Sequence, residues 1–198
     1  MSYRISPAWW PFLGLSSPIL IPMLLAKNRR FKQNIRRSQE VNKERMDRAE
    51  PLEMPQLKYF EITVLIEQKV EPGFLGAPGV SYLIKTDQGS LLFDLGYGPE
   101  MPALAHNAVK LGFKMDQVDA LAISHLHPDH MGGFKAVRKK QVTVPREIGG
   151  SEGFPCFLPA EANAGGFRAV VVDRPRMLAA GVTSTGPLAR SLFPNGLD

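Results

Sequence analysis

The chain has 198 residues, of which 44% are hydrophobic and 22% charged, and its net charge is +5 with a pI near 9.4. This composition is typical of a globular protein, and a single cysteine excludes an internal disulfide. The cations that cluster between positions 27 and 37 exceed the whole net charge, so the rest of the chain is close to neutral and we expect no nucleic-acid partner.

The N-terminal segment is apolar. Residues 5–26 form a run of 22 uncharged positions. As a helix, this run would be about 33 Å long, enough to cross a hydrocarbon core of roughly 30 Å. Pro18 and Pro22 lie inside it, which leaves a re-entrant or interfacial anchor and a soluble flap as alternatives. We expect residues 1–37 to be a membrane-anchor helix followed by a basic juxtamembrane run.

The basic run sets the expected orientation. Its members are Lys27, Arg29, Arg30, Lys32, Arg36 and Arg37, with no acid between them. Clustered cations stay on the cytoplasmic side of a membrane. We therefore expect a membrane partner through residues 5–37 and a domain on the cytoplasmic side, with a cytoplasmic protein as the alternative. Residues 38–56 mix both charges at helical spacings and are predicted to be a connector.

Residues 57–198 are predicted to form the folded domain. Strands are expected at 59–66, 79–84, 90–93 and 169–172, because β-branched and apolar residues dominate these runs. Residues 99–113 suit an amphipathic helix with Leu104, Ala108 and Leu111 on one face. His106 in this helix is expected to be a surface or partly packed residue rather than a ligand. Residues 146–166 are predicted to be a long loop near the site that selects the substrate, with Cys156 as an inert buried thiol.

Residues 125–130 contain the candidate metal ligands. His125-Leu126-His127-Pro128-Asp129-His130 gathers three of the four histidines and one aspartate, and residues 120–124 precede it as a short apolar strand. Histidines at i and i+2 of an extended segment project to one side, so His125 and His127 can hold one ion, while the turn through Pro128 directs Asp129 and His130 toward a second. Two ions about 3.5 to 4 Å apart can share and activate a hydroxide. The motif predicts hydrolysis or a related displacement.

This His-x-His-x-Asp-His pattern resembles the signature of the metallo-β-lactamase fold. The resemblance implies an α+β fold, an αββα sandwich, and a small-molecule substrate. It also implies two divalent metal ions, zinc with iron or manganese as alternatives, held by His125, His127, Asp129 and His130. Asp129 would in addition orient the attacking hydroxide as the catalytic residue. By the same resemblance Asp94, in the loop after the strand at 90–93, fixes the orientation of a metal ligand; the alternative is an ordinary turn aspartate.

The part of the chain after the signature departs from the family pattern. No histidine follows His130, whereas family members complete their sites with downstream ligands. Residues 57–198 also supply fewer positions than the ~200 that a complete sandwich needs. We therefore expect an incomplete domain, the N-terminal half, truncated before the downstream ligand motifs.

Three classes of function remain at this point. The first is a metal-dependent hydrolase that uses a metal-bound hydroxide at a dinuclear site. The second is a pterin-synthase-like displacement enzyme, because residues 79–84 and 181–187 resemble a family branch that contains a dihydropterin synthase. The third is a non-catalytic, membrane-tethered metal-binding fragment.

Overall fold

The computed structural model describes residues 9–150 and 153–190, without the side chain of Leu13. The chain divides into two compact units, residues 1–49 with 188–198, and residues 50–187. The predicted domain boundaries at 37 and 56 stay a prediction. The helices are α1 (Trp10–Asp47), α2 (Ala103–Leu111), α3 (Pro128–Met131) and α4 (Phe134–Lys139). The strands are β1 (Phe60–Ile66), β2 (Ser81–Thr86), β3 (Gly89–Phe93), β4 (Ala120–Ala122), β5 (Pro155–Leu158), β6 (Arg168–Val171), β7 (Arg176–Met177) and β8 (Thr183–Ser184).

From Trp10 onward, helix α1 runs without interruption through the rest of the apolar run, the basic run and part of the predicted connector. Pro18 lacks the amide hydrogen that would reach the carbonyl oxygen of Gly14 in a regular helix. The hydroxyl of Ser17 donates to that oxygen at 2.8 Å instead. A side chain thus supplies the hydrogen bond that the proline removes, and the helix continues.

The predicted membrane span is not supported. Among residues 9–150 and 153–190, no helix is both long and apolar enough to cross a bilayer. Prolines, serines and a glycine dilute the apolar side chains of α1, and the helix is strongly charged from Lys27 onward. Three predictions depended on this span and are therefore not supported either. They are the transmembrane helix, the membrane partner through residues 5–37, and the placement of the domain on the cytoplasmic side of a membrane. Residues 5–8 of the predicted span lie outside the described residues.

The unit formed by residues 50–187 is built on a six-stranded sheet with its strands in chain order, from β1 to β6. Strands β1 to β3 are antiparallel, whereas β3 to β6 are parallel. Strands β7 and β8 form a separate two-stranded sheet. The prediction of an α+β fold is confirmed. The described residues hold one large and one small sheet, so the full αββα sandwich stays a prediction.

Alternating side chains of the large sheet supply two cores. One face packs against α2, α3 and α4; its buried residues include Leu83, Leu92, Leu121, Cys156 and Leu158 from the strands, and Leu104, Ala108, Met131 and Ala136 from the helices. The other face packs against the turn between β7 and β8; its residues include Leu91, Ala120, Ala122, Phe157, Leu178 and Ala180. Because successive strand residues point to opposite faces, the central strands β4 and β5 are covered on both sides, whereas β1 and β6 are largely exposed.

Two predictions about elements need correction. The helix predicted for residues 99–113 is shorter, and although Leu104 and Ala108 are buried, Leu111 is 42% exposed because it lies at the helix end, before left-handed Gly112. The loop predicted for residues 146–166 contains β5, a buried strand paired on both sides. Its four residues are flanked by glycine and proline, which hid a short apolar strand inside a segment with loop composition.

Candidate metal site

The site lies where β3 and β4 leave the sheet. These strands are parallel, with Phe93 opposite Ala122, so the residues that follow them emerge at the same edge. Asp94 follows β3 in a left-handed conformation with φ of 58°, which aspartate tolerates better than most side chains. Its amide still donates to Ala122 at 2.9 Å. This conformation turns the chain out of the strand directly beside Ser124.

The carboxylate of Asp94 is fully buried and accepts three hydrogen bonds. Its Oδ1 accepts the amide hydrogen of Ser124 at 2.7 Å. Its Oδ2 accepts the hydroxyl of Ser124 and Nδ1–H of His130, both at 2.7 Å. A buried carboxylate is tolerated only with such partners. The structure therefore places Asp94 in contact with a residue of the signature, and its role in orienting a metal ligand remains a proposal.

The short helix α3 positions His130. It begins after His127, whose carbonyl accepts the amides of His130 and Met131, both at 3.1 Å. Pro128 occupies the first turn, where its missing amide hydrogen is harmless. The carbonyl of His130 in turn accepts the amide of Leu95 at 2.8 Å. Both the side chain and the backbone of His130 are thus held by the loop that follows β3.

The structure brings the four predicted ligands together. The ring centroids of His125 and His127 are 4.7 Å apart, and those of His125 and His130 are 3.9 Å apart. Oδ2 of Asp129 lies 3.4 Å from Nε2 of His130. The side chain of Asp129 is 33% exposed, compared with 15% for His130, so the cluster is open to solvent on the Asp129 side.

The donor set fits a divalent metal, because three imidazoles and a carboxylate are the ligands that zinc, iron and manganese take in proteins. The arrangement differs from the predicted two pairs, since the ring of His130 lies closer to His125 than His127 does. Among the described residues, no three histidine, cysteine, aspartate or glutamate side chains are grouped so that they could hold an ion. A metal site at this cluster, with one ion or two, therefore stays a prediction.

The electrostatics at His130 favour its charged form. Burial of the ring lowers its pKa, but the hydrogen bond and charge of Asp94, together with the charge of Asp129, outweigh burial and raise the pKa above its ordinary value of 6.5. A metal ion would compete with that proton, because an imidazole must be neutral to coordinate.

Glycines shape the loops around the cluster. A Cβ on Gly79 would overlap the backbone carbonyl of Asp129, and one on Gly132 would overlap the carbonyl of Thr143. Glu100 holds the start of α4: its carboxylate accepts the amides of Phe134 at 2.9 Å and Lys135 at 2.6 Å. The loops around the cluster are therefore fixed by close backbone contacts and by the carboxylate of Glu100.

The other two candidate donors lie away from this cluster. Cys156 is buried in β5, as predicted, and burial raises the pKa of its thiol to about 12; its inertness stays a prediction. His106 is exposed on α2, with its Nε2 3.0 Å from the carbonyl oxygen of Gly73, and its expected surface position is confirmed as well.

Sequence reasoning missed Ser124 and Glu100. Ser124 immediately precedes His125, so a hydroxyl at the end of a strand that delivers a ligand was the available signal. Glu100 offered none, because its contacts are with amides more than thirty positions away.

Comparison with known proteins gives the family. The family model of the metallo-beta-lactamase superfamily matches residues 75–162. This segment contains Asp94 and all of residues 125–130. No curated protein sequence matches the chain.

Several solved structures resemble this one. A metal-dependent hydrolase of the beta-lactamase superfamily is 23% identical, with 61% of this chain and 45% of that chain covered and a TM-score of 0.38. The metallo-beta-lactamase fold protein YhfI from Bacillus subtilis is 18% identical, with 60% of this chain and 48% of that chain covered and a TM-score of 0.37. A quorum-quenching N-acyl homoserine lactone lactonase is 17% identical, with 66% of this chain and 63% of that chain covered and a TM-score of 0.39.

The chain spans about half the length of the first two of these proteins. Because all three TM-scores are low, the assignment depends on the family match. The narrower resemblance to the dihydropterin-synthase branch stays a prediction. The predicted resemblance is confirmed: residues 75–162 match the family model of the metallo-beta-lactamase superfamily.

Proposed function

We propose that this chain provides the metal-binding part of a metal-dependent hydrolase acting on a small molecule. One observation carries the proposal: within the segment that matches the family, His125, His127, Asp129 and His130 cluster at the edge of the sheet, and a buried carboxylate holds one of them. Imidazoles are seldom gathered so closely for packing alone, since each buried ring nitrogen needs a partner.

In this proposal His125, His127, Asp129 and His130 hold two divalent ions, with zinc preferred over iron and manganese. When bound, such ions activate water as a nucleophile near neutral pH and polarise the group under attack. Asp94 keeps the ring of His130 oriented through its Nδ1–H. Asp129 is the more exposed of the two carboxylates and also orients the attacking water on the solvent side of the cluster.

Metal content tests the assignment. The full chain should bind about two zinc, iron or manganese equivalents, and the double variant His125→Ala/His127→Ala should lose at least one of them. His106→Ala is the matched control, because it removes the one remaining histidine from an exposed position on α2. Equal metal content in the double variant and the control would contradict the site.

Turnover tests the chemistry. A screen of ester, lactam, thioester and phosphodiester substrates identifies a reaction, and Asp129→Asn should then lower its rate by roughly 100-fold or more while at least one metal stays bound. Near-normal turnover in this variant would remove Asp129 from the catalytic role. A metal-loaded chain without activity on any of the four classes would leave a metal-binding segment rather than a hydrolase.

A further inference from the structure

The hydroxyl of Ser124 stands between the buried carboxylate and two histidines. Its oxygen lies 2.7 Å from Oδ2 of Asp94, 3.0 Å from Nδ1 of His125 and 3.3 Å from Nδ1 of His130. An ionised carboxylate can only accept hydrogen bonds, whereas a serine hydroxyl has one proton to donate and two lone pairs that accept. The shortest contact therefore uses the only proton of Ser124, which points to Asp94.

The direction of the hydrogen bond between Ser124 and Asp94 determines the tautomer of His125. With its proton given to Asp94, the oxygen of Ser124 can only accept from Nδ1 of His125. The imidazole must then carry its hydrogen on Nδ1, and the lone pair that can bind a metal lies on Nε2. The amide of Ser124 also donates to Asp94, at 2.7 Å, so the serine itself is held in place.

The same carboxylate acts on His130 directly. Its Nδ1–H donates to Oδ2 of Asp94 at 2.7 Å, which again leaves the metal-binding lone pair on Nε2. One buried group thus fixes two rings, His130 by direct contact and His125 through an intervening hydroxyl.

We propose that Ser124 is a positioning residue that relays the orienting effect of Asp94 to His125, so that both His125 and His130 bind metal through Nε2. This inference deepens the proposed function and depends on it, because the tautomer matters only if the rings bind metal. A hydrogen bond to the second nitrogen of a metal-binding imidazole sets the ring's tautomer and orientation, and its loss weakens metal binding by about 10- to 100-fold.

The test reads the protonated nitrogen of each ring. In the metal-free, ¹⁵N-labelled full chain, long-range proton–nitrogen correlation spectra at a pH where the rings are neutral should show His125 and His130 protonated on Nδ1. His106 is an internal reference of the opposite kind, because its Nε2 faces the carbonyl of Gly73 and must donate. Ser124→Ala should lower the fraction of His125 that is protonated on Nδ1, while Ser124→Thr, which keeps the hydroxyl, should preserve the Nδ1–H form.

Zinc affinity is measured on the same proteins by competition with a chromogenic chelator. Ser124→Ala should bind zinc about 10- to 100-fold more weakly, and Ser124→Thr should stay close to the unmodified chain. Protonation of His125 on Nε2 in the unmodified chain would overturn the relay, and this result does not require the alanine variant to fold. Unchanged tautomers and affinity in Ser124→Ala would overturn it as well. The expected tautomers in a chain that binds no zinc would instead contradict the proposed function and leave the hydrogen-bonded arrangement supported.

Discussion

Asp94 and the residue after it both hydrogen-bond to His130, although 36 positions separate Asp94 from His130. Their side chains share a hydrogen bond of 2.7 Å, and the amide of Leu95 donates to the carbonyl of His130 at 2.8 Å. Neither the loop after β3 nor helix α3 can shift without breaking one of these bonds. The orientation of His130 is therefore a property of the folded domain and does not require a bound ion.

Replacing Asp94 with asparagine should weaken metal binding while leaving the domain folded. Asparagine also tolerates the left-handed backbone at this position, but its amide offers one acceptor oxygen to three donors. We expect zinc affinity to fall by about 10- to 100-fold. Asp116→Asn is the control, because Asp116 lies exposed in the short 3₁₀ helix that precedes β4, whereas the cluster follows β4. Equal zinc affinity in the two variants would show that Asp94 has no part in holding the ligand.

Asn107 should be essential for stability rather than for metal binding. It is buried in α2, where its amide donates to the carbonyls of Leu65 at 2.7 Å and Leu75 at 2.9 Å and its oxygen accepts the amide of Leu75. Asn107→Ala leaves these backbone groups without partners and should lower the free energy of unfolding by at least about 3 kcal/mol. Urea denaturation measures the loss.

The exposed side chain of Gln117 provides the comparison for Asn107. It also donates to a backbone carbonyl, that of Gly112, but water can replace this bond. Gln117→Ala should cost less than about 1 kcal/mol. Similar losses in both variants would mean that burial of the Asn107 amide is not what makes it important.

Gly132 is required by its surroundings as well as by its backbone angle. Its φ is 103°, and a Cβ there would overlap the carbonyl of Thr143. Gly112 also has a positive φ, of 65°, but a Cβ added to it would have no atom within 4 Å among the described residues outside its own helix and chain neighbours. Gly112→Ala should therefore lower the free energy of unfolding by about 1 kcal/mol, because of the backbone angle alone. Gly132→Ala should lower it by about 1 to 3 kcal/mol more, because of the added overlap. Equal free energies of unfolding for the two variants would show that the overlap with Thr143 has no effect on stability.

The thiol of Cys156 should make the domain less stable in alkali. Burial raises its pKa from the ordinary 9.0 to about 12, so between these values the unfolded chain loses a proton that the folded chain keeps. The stability that comes from the neutral thiol is complete below pH 9 and is lost progressively as the pH rises toward 12. Cys156→Ala should lack this component when unfolding is measured across that range, and a thiol reagent should modify Cys156 only after denaturation. Rapid modification of the folded chain would contradict the burial.

Local patterns are enough to predict the signature and most strands. The apolar runs before Asp94 and before residues 125–130 identify β3 and β4, and the spacing of the histidines predicts their shared side. The grouping of His130 with His125 could not be predicted, because it depends on the turn of α3 and on the bond to Asp94, which join residues distant in sequence. The same applies to the hydroxyl of Ser124.

Composition alone misleads the prediction for α1. The absence of charges in residues 5–26 favours a span, although the prolines and serines in that run lower its apolar character. Strand β5 is hidden for the opposite reason. Its apolar residues Cys156, Phe157 and Leu158 are few, and their burial is evident only when β4 and β6 lie beside them.

The hydrogen bonds from the amides of Phe134 and Lys135 to the carboxylate of Glu100 affect the order in which the domain folds. Helix α4 has six residues, and Gly133 at its start has no side chain that could cap it. A helix this short is not stable by itself in water. We therefore expect α4 to form late, after β3 and β4 have paired and carried Glu100 into place, so that substitutions within the helix change the rate of unfolding much more than the rate of folding.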